Sequence, residues 1–363
     1  MVKGSIIVTG ASGFLGSAIC VGLDQEWSVI GIDRRPPSHA LQTAAPGVRW
    51  HLIDIADRHG LEALLQRLVR EDRRIDFVLH MAAFYHFGRY WTPACERTNV
   101  WGLENILVSA ERTGVGRFIF AGSIASLPPP PPGRRLTEKT APEAVVAYSR
   151  AKAIGEKLLA RYSLRVPTVA LRIGGVFSDW CELPPLYSLM RLWTQPGLVG
   201  RLIPGRGLSG FPFIHRRELV ACVRRILARH QHLKRCETLF AAPAGYTSHN
   251  DLFPVIRQSC EKHWHGGPIY IPTSAARWIL FLKNSAKLLF NRKRYERRWM
   301  IDYVDRPLAV DTAYTRRHLQ WQPEPEAGIL ERLPQMVERL KRHRRVWEHR
   351  NVRRNEGHYR YGD

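Results

Sequence analysis

The chain has 363 residues, of which 45% are hydrophobic and 24% are charged. This length and composition allow a sizeable core, which excludes a disulfide-stapled mini-protein and wholesale disorder. The 55 Lys and Arg residues against 32 Asp and Glu residues give a net charge of +23. Such a field favours nucleic acid, an anionic membrane surface or an acidic substrate, and composition alone does not choose among them.

The cysteines and the distribution of charge narrow the class of protein. The six cysteines are scattered without CxxC or other metal-ligand spacing, so we expect reduced thiols, a cytoplasmic location and no metal site. Much of the excess positive charge lies in 291–298 and 341–363. Neither segment carries a nucleic-acid-binding signature, so we expect no nucleic-acid partner. No uncharged apolar run reaches about 18 residues, so no membrane-spanning helix is predicted.

Short β-branched runs alternate with helical patterns through the first half of the chain. In chain order, we predict a strand at 5–9, a helix at 13–23, strands at 28–33 and 48–54, a helix at 61–70, a strand at 77–81, a helix at 98–113, a strand at 117–121, a helix at 145–162 and a strand at 168–173. This alternation is typical of βαβ units. It predicts an α/β fold with a doubly wound parallel sheet.

The pattern loosens after about residue 176, and this change divides the chain. We predict a nucleotide-binding domain over 1–175, to which 212–244 returns. Residues 176–211 and 245–335 are punctuated by prolines, which indicates a smaller, mixed substrate lobe. Residues 336–363 form a basic C-terminal tail, which from about residue 341 we expect to be a frayed, solvated helix.

A glycine-rich loop with the sequence TGASGFLG follows the first predicted strand and opens the first predicted helix. Gly10 permits a tight turn, Gly13 lets the backbone approach a pyrophosphate, and Gly16 lets the helix pack on the strand. Asp33 ends the second strand, where a carboxylate accepts hydrogen bonds from ribose hydroxyls and repels a 2′-phosphate. Arg34 follows directly and could hold that phosphate, so we predict NAD and leave NADP open.

Tyr148 and Lys152 are spaced to share one face of a predicted helix. An unperturbed phenol is a poor base at neutral pH, and a nearby ammonium favours its phenolate. Ser123 follows the fifth predicted strand, where its hydroxyl could orient a substrate oxygen. The Tyr–Lys spacing alone is common and is also explained by a surface Lys beside a packing Tyr. The order of glycine loop, ribose acid, Ser, Tyr and Lys favours a catalytic set.

Seven motifs in this order resemble the extended short-chain dehydrogenase/reductase family, also called the NAD-dependent epimerase/dehydratase family. The resemblance covers about residues 3–335. The motifs are TGASGFLG (9–16), Asp54-Ile55, His80-Met-Ala-Ala83, Asn99-Val-Trp-Gly102, Ala121-Gly-Ser123 with Tyr148-xxx-Lys152, Leu171-Arg172-Ile173 and Phe213-Ile-His215. The resemblance implies a Rossmann-type NAD-binding fold and an NAD-dependent enzyme.

The resemblance also implies roles for individual residues. Tyr148 would exchange a proton with a substrate oxygen, Lys152 would lower the pKa of Tyr148 and bind the nicotinamide ribose, and Ser123 would hydrogen-bond the same oxygen. Asn99 is a further catalytic candidate, with a structural bond to a neighbouring carbonyl as the alternative. Cofactor contacts are implied at Gly10, Gly13, Phe14, Leu15, Gly16, Asp33, Arg34, Asp54, Ile55, Met81, Ala82, Ala83, Asn99, Tyr148, Lys152 and Ile173.

Two departures from the family pattern bear on the substrate. Sugar-nucleotide members usually carry Asn where this chain has Gly175, and Arg where it has Phe211, so two diphosphate contacts are lost. Arg201 and Arg206 are nearby in sequence and could substitute. The apolar stretch 272–290 and the segments after it resemble the 3β-hydroxysteroid dehydrogenase-like branch.

These features predict an NAD(P)-dependent oxidoreductase that transfers hydride between nicotinamide and a secondary alcohol or ketone. The small-molecule substrate is predicted to be apolar, sterol- or lipid-like. A sugar-nucleotide epimerase or dehydratase is the alternative within the enzyme class. A dinucleotide-binding scaffold is the alternative to an enzyme, and the intact Ser–Tyr–Lys set argues against it.

The apolar stretch also suggests a membrane contact, although an ordinary core helix explains it equally well. The side chains that would dip into the bilayer interface are Trp278, Ile279, Phe281 and Leu282, and those that would meet anionic headgroups are Arg292, Lys293, Arg294, Arg297 and Arg298. We therefore predict a cytoplasmic protein that binds peripherally to the inner face of a membrane. A homodimer remains open.

Overall fold

The computed structural model describes residues 3–72, 74–86, 88–144, 146–260, 266–285 and 298–355. The strands are β1 Ser5–Thr9, β2 Ser28–Asp33, β3 Arg49–Leu52, β4 Phe77–His80, β5 Arg117–Ser123, β6 Thr168–Ile173, β7 Gly175–Phe177, β8 Leu202–Pro204, β9 Gly210–Phe211, β10 Phe213–His215, β11 Cys236–Ala241, β12 Thr247–Ser248 and β13 Ile269–Ile271. The α-helices are α1 Phe14–Leu23, α2 His39–Ala44, α3 Arg58–Asp72, α4 Pro93–Glu96, α5 Gly102–Arg112, α6 Ala147–Tyr162, α7 Pro184–Trp193, α8 Arg216–Arg229, α9 His249–Cys260, α10 Thr273–Ser285, α11 Ala313–Leu319, α12 Ile329–Arg342 and α13 Arg344–Asn355.

Short helical turns complete the described elements. A π-helix covers Arg97–Trp101, and 3₁₀ turns cover Ile124–Ser126, Val199–Arg201, His230–His232, Arg298–Tyr303 and Pro325–Ala327. The sequence predicted one continuous helix over 98–113. In the structure the helical run instead begins at Pro93, and residues 97–101 within it widen into the π-helix, a feature that often marks functional sites.

Seven strands of the described ranges form one parallel sheet in the order β11-β6-β5-β4-β1-β2-β3. The strand order reverses between β1 and β4, which is where ligands bind in open α/β sheets. The strands are apolar on both faces because helices cover both sides, as the continuous burial of β1, β4, β5 and β6 shows. The predicted α/β, doubly wound fold is confirmed. The sequence analysis did not predict β11, which forms the edge strand beside β6.

Two apolar clusters, one on each face, hold the sheet to its helices. One face packs against α1 and α8, with Ile19, Leu23 and Val223 fully buried. The other packs against α3, α5 and α6, with Leu65 and Ile106 fully buried. Burying one large aliphatic side chain contributes roughly 1.5–3 kcal/mol, so these layers carry most of the domain's stability.

A third apolar cluster lies in the C-terminal lobe, among α7, α9, α12 and α13. Small two-stranded sheets join β7 to β10, β9 to β12 and β8 to β13. The expectation of a frayed, solvated helix from about residue 341 fits the exposed residues 341–346 but not Trp347 and Asn351, which are buried. Met336, Val337 and Trp347 are fully buried in this cluster because α12 and α13 pack onto the lobe. Among the helices of the described ranges, none combines the length and hydropathy needed to cross a bilayer.

Candidate active site

A cavity of about 390 Å³ lies at the carboxyl ends of the central strands and extends from the glycine loop to the C-terminal lobe. Every residue predicted for the cofactor or for catalysis lines it except Asn99. The lining residues that the sequence indicated are Gly10, Gly13, Phe14, Leu15, Gly16, Asp33, Arg34, Asp54, Ile55, Met81, Ala82, Ala83, Ser123, Tyr148, Lys152 and Ile173. The fold therefore brings together residues that are up to 163 positions apart in the chain, from Gly10 to Ile173.

The glycine loop leaves no room for side chains at its first and third glycines. Gly10 has a φ of +67°, and a Cβ there would lie 2.7 Å from the backbone of Ala82. A Cβ on Gly16 would lie 2.1 Å from the carbonyl oxygen of Gly10. The loop therefore packs tightly on β1 and on the segment after β4, and the cavity begins at its outer side. This cradle at the start of α1 fits a pyrophosphate group.

Asp33 is held at the cavity rim by the backbone of two loops. Its carboxylate accepts hydrogen bonds from the backbone N–H of Ser12 at 3.0 Å and of Arg35 at 3.1 Å. These bonds fix the carboxylate at the end of β2, where the sequence analysis expected it to meet a ribose. Arg34 and Arg35 line the same part of the cavity. This end of the cavity therefore contains both the Asp33 carboxylate, which favours NAD, and two guanidinium groups that could bind a 2′-phosphate.

Asp54 and Ile55 close the same end of the cavity. The Asp54 carboxylate accepts from the backbone N–H of Ala56 at 2.9 Å and from Arg97 Nη1 at 2.7 Å. A Cβ on Gly102 would meet the side chain of Ile55 at 2.7 Å, so α5 packs closely behind it. Asp54 therefore forms its ion pair with Arg97 at the wall of the cavity.

Asn99 lies behind the cavity rather than in its lining. Its Nδ2 donates to the carbonyl oxygen of Phe84 at 3.0 Å, and its Oδ1 accepts from the backbone N–H of Phe84 at 2.7 Å. Both amide atoms therefore hold the segment after β4. This placement does not match the prediction that Asn99 contacts the cofactor or substrate. It matches the alternative, a structural bond to a neighbouring carbonyl. Asn99 belongs to the π-helix.

His80 supports the same segment from the sheet. Its Nδ1 lies 2.9 Å from Thr9 Oγ1, and the ring stacks on Phe118 and Phe120. Burial lowers the pKa of His80 to about 3, so the imidazole is neutral at pH 7. The Thr9 hydroxyl also accepts from the backbone N–H of Ala82 at 3.4 Å. These contacts give His80 a structural role.

Ser123, Tyr148 and Lys152 meet on one side of the cavity. Ser123 is the last residue of β5 rather than a residue after it, and its Oγ accepts from the backbone N–H of Ala125 at 3.2 Å. Tyr148 and Lys152 lie one turn apart on α6, and Tyr148 is hydrogen-bonded to Ser123. Lys152 Nζ donates to the carbonyl oxygen of Ala121 at 2.6 Å and lies 5.9 Å from the Tyr148 ring centre.

Burial shifts the pKa values of both side chains on α6. Burial raises the pKa of Tyr148, and the hydrogen bond from Ser123 opposes that shift in part. Burial also lowers the pKa of Lys152 to about 8, against the opposing field of Glu156. For Tyr148, the cost of desolvating the phenolate outweighs the hydrogen bond from Ser123, and the expected lowering of its pKa by Lys152 stays a prediction. Lys152 still carries its proton at pH 7.

A buried ion pair that the sequence analysis missed lies behind Lys152. Arg172 Nη2 lies 2.7 Å from Glu156 Oε2, and both side chains are at most 9% exposed. Glu156 follows Lys152 by four residues on α6, and Arg172 belongs to β6. The Leu-Arg-Ile motif on β6 and the helical spacing of Glu156 from Lys152 were the signals that could have found this pair. The pair fixes the turn of α6 that carries Lys152.

The end of the cavity nearest the C-terminal lobe is largely apolar. The residues that form it, none of them among the predicted site residues, are Phe84, Tyr85, Ile124, Gly175, Val176, Glu182, Leu183, Pro184, Pro185, Phe211 and Leu308. A Cβ on Gly175 would lie 2.2 Å from the Phe211 ring, so the two departures from the family pattern are coupled. The Phe211 ring fills the space that a side chain at position 175 would occupy.

No metal cluster is evident in the described part of the chain: no group of three or more His, Cys, Asp or Glu side chains there is placed to hold a metal ion. The polar groups of the cavity are the glycine-loop amides, the carboxylates and cations at its two ends, and the Ser–Tyr–Lys set. The cavity therefore combines a glycine-rich cradle that fits a dinucleotide with a buried Ser–Tyr–Lys set. This combination on a parallel sheet is that of the extended short-chain dehydrogenase/reductase class.

Comparison with known proteins gives the family. The family model of the NAD dependent epimerase/dehydratase family matches residues 6–239, and the chain belongs to that family. A dTDP-D-glucose 4,6-dehydratase of Mus musculus is 26% identical over 244 residues, which cover 62% of this chain and 64% of the mouse protein. A 2-alkyl-3-oxoalkanoate reductase of Stenotrophomonas maltophilia is 30% identical over 174 residues, covering 46% of this chain and 49% of the relative.

Among solved structures, the UDP-glucose 4-epimerase of Thermotoga maritima with UDP-glucose shares the fold. Its TM-score is 0.69 at 18% identity, covering 93% of this chain and 99% of that one. The chain spans less than two thirds of the length of the two curated relatives. The predicted family, the Rossmann-type fold, the NAD-dependent enzyme class and NAD as cofactor are confirmed at the level of the family.

Proposed function

We propose that this protein epimerises a nucleotide-linked sugar, by oxidising one secondary alcohol carbon to a ketone and reducing it again. The observation that carries the proposal is the Ser123–Tyr148–Lys152 set on the cavity wall, with no acid/base pair for elimination beside it among the residues that the structure describes. Membership in the epimerase/dehydratase family supports the substrate class. This proposal adopts the alternative of the sequence analysis over the apolar substrate.

The glycine loop and Asp33 would hold NAD, which would supply the hydride-transfer chemistry of both half-reactions. As its phenolate, Tyr148 Oη would take the proton of the substrate hydroxyl as the carbon is oxidised, and would give it back as the carbonyl is reduced. Ser123 donates a hydrogen bond to the same oxygen and stabilises the charge that develops there. Lys152, whose pKa of about 8 leaves it protonated at pH 7, binds the nicotinamide ribose, and its positive charge favours the phenolate of Tyr148.

The cavity argues for epimerisation over dehydration. Loss of water from a keto sugar needs one group to remove a carbon-bound proton and another to protonate the leaving hydroxyl. The two residues after Ser123 are Ile124 and Ala125, which can do neither. Apart from Asp33 and Asp54 at the glycine-loop end, the lining carboxylate is Glu182, which is already ion-paired with Arg350.

A net reductase of an apolar ketone is the second candidate. The apolar wall formed by Leu183, Pro184, Pro185, Phe211 and Leu308 favours it, because such a wall binds hydrocarbon better than a diphosphate. The relative named a 2-alkyl-3-oxoalkanoate reductase supports it as well.

One experiment separates the two candidates. The protein is incubated with UDP- and dTDP-hexoses and a trace of NAD, and separately with 3-oxoalkanoates and stoichiometric NADH. Sugar product without net NADH change, detected by NMR, supports epimerisation. Stoichiometric NADH consumption with only the oxoalkanoates overturns it in favour of the reductase. The Tyr148→Phe protein, which keeps the cofactor surface, should lose more than about 99% of turnover while binding NAD nearly as tightly.

A peripheral membrane contact remains a separate proposal. Trp278 on α10 is 66% exposed, while Ala276 beside it is buried. The side chains of Phe281 and Leu282 and the basic segment 292–297 lie outside the described residues. Sedimentation with anionic and neutral liposomes tests it: protein that stays in the supernatant with both refutes the contact.

A further inference from the structure

A strained turn forms the wall of the cavity on the side of the C-terminal lobe. Cys181 and Glu182 are consecutive non-glycine residues with φ values of 73° and 55°. Ser178 and Cys181 exchange two backbone hydrogen bonds, of 3.1 and 2.8 Å, that close the turn. Left-handed non-glycine residues persist only where surrounding contacts hold them, and they concentrate at functional sites. Glu182 and the three residues after it, two of which are prolines, line the cavity.

The contacts that hold this turn come from the C-terminal helix α13. Asn351 Oδ1 accepts from the backbone N–H of Glu182 at 2.7 Å, and Asn351 Nδ2 donates to the carbonyl oxygen of Trp180 at 2.8 Å. Arg350 donates to Glu182 Oε1 through Nε at 3.0 Å and Nη2 at 2.7 Å. Ser178 Oγ donates to the other carboxylate oxygen at 2.6 Å. Backbone and side chain of Glu182 are thus both bonded to α13.

The helix itself is anchored firmly enough to serve as a support. Trp347 is fully buried and its ring stacks on Tyr187 at 5.0 Å between ring centres. Asn351 is 1% exposed. The ring of Trp180, within the turn, has the guanidinium groups of Arg339 and Arg350 at 5.1 and 5.4 Å from its centre. A segment with the composition of a solvated tail is therefore packed against the cavity wall.

We propose that Arg350 and Asn351 are positioning residues that set the substrate-side wall of the cavity through the turn at Cys181–Glu182. They determine the affinity for the substrate without touching it. Only the identity of the substrate rests on the proposed function; the positioning itself does not. Pro184 and Pro185 have restricted φ angles, so a change in the turn is transmitted to the wall rather than absorbed.

The proposal predicts different effects on substrate binding and on NAD binding, although both ligands occupy one cavity. The glycine loop and Asp33 lie at the opposite end from Glu182 and receive none of the α13 contacts named above. Loss of those contacts should weaken substrate binding and leave NAD binding unchanged. A purely structural role of α13 would instead lower the stability of the protein and reduce both affinities together.

The first test is amide hydrogen exchange on the full chain with NAD bound. In Asn351→Ala, the amides of Cys181 and Glu182 should exchange at least about tenfold faster, because Glu182 N–H loses its acceptor. The amides of Gly13 and Ser17 should not change. Unchanged exchange at Cys181 and Glu182 overturns the proposal. This readout needs no substrate, so it stands even if the nucleotide-sugar reaction is not found.

The second test is kinetic. Arg350→Ala should raise KM for the sugar nucleotide about tenfold with kcat within about twofold, and Arg350→Lys should recover part of the loss. The matched control is Arg344→Ala, which removes the exposed Arg344–Glu348 pair of the same helix and should leave KM unchanged. An unchanged KM in Arg350→Ala, or a parallel loss of NAD affinity, overturns the positioning role. Absence of turnover in the wild-type protein refutes the proposed function alone.

Discussion

The buried ammonium of Lys152 should make the stability of the nucleotide-free protein depend on pH in an unusual direction. Its pKa is lowered from 10.5 to about 8 in the folded chain. Between these values the unfolded chain binds more protons than the folded chain, so the free energy of unfolding rises with pH. Below pH 8 the buried charge destabilises the fold by its full amount. This destabilisation is relieved as the pH rises toward 10.5.

The magnitude follows from the shift. A difference of about 2.5 pKa units corresponds to about 3 kcal/mol of destabilisation at pH 7, which shrinks to about 1.4 kcal/mol at pH 9.5. Lys152→Met removes this dependence. It also removes the hydrogen bond to the Ala121 carbonyl, and for the neutral amine this costs roughly 0.5–1.5 kcal/mol, a baseline loss that does not change with pH. The prediction therefore concerns the change with pH rather than the absolute stability.

The assay is urea unfolding of nucleotide-free wild type and Lys152→Met at pH 7 and pH 9.5. The unfolding free energy of wild type, relative to that of Lys152→Met, should rise by about 2 kcal/mol from pH 7 to pH 9.5. Buried Cys20 and Cys222, whose pKa values are raised, act in the opposite direction but equally in both proteins. Exposed Lys157 on the same helix gives the control variant Lys157→Met. A difference that stays constant within about 0.5 kcal/mol refutes the reasoning.

Three further substitutions test separate parts of the structure. Gly16→Ala places a Cβ 2.1 Å from the Gly10 carbonyl oxygen and should weaken NAD binding at least about tenfold by calorimetry; Gly267→Ala, in open space, should not. Asp33→Ala should narrow the preference for NAD over NADP about tenfold in paired titrations, and a wild type that prefers NADP contradicts this role. Trp347→Ala should lower unfolding free energy by about 3–5 kcal/mol, against less than about 1 kcal/mol for half-exposed Val346→Ala.

Short-range patterns in the sequence determined the nucleotide-binding half of the protein. The predicted strand at 168–173 has the same bounds in the structure, and the glycine loop lies where its spacing placed it. These features are local: a β-branched run is buried on both faces, and a glycine at a positive φ is required by the turn itself. The order of Ser123, Tyr148 and Lys152 along the chain was enough to predict that they meet.

Tertiary structure alone decided what lies on the far side of the cavity. Helix α13 carries many arginines and few apolar residues, so its composition indicates solvent. Its burial depends on two side chains, Trp347 and Asn351, whose partners lie more than 150 residues earlier in the chain. Tertiary structure also decided the role of Asn99, because its side-chain amide hydrogen-bonds the backbone of Phe84. A helix pattern states which residues share a face, but the surface that meets that face is set by the fold.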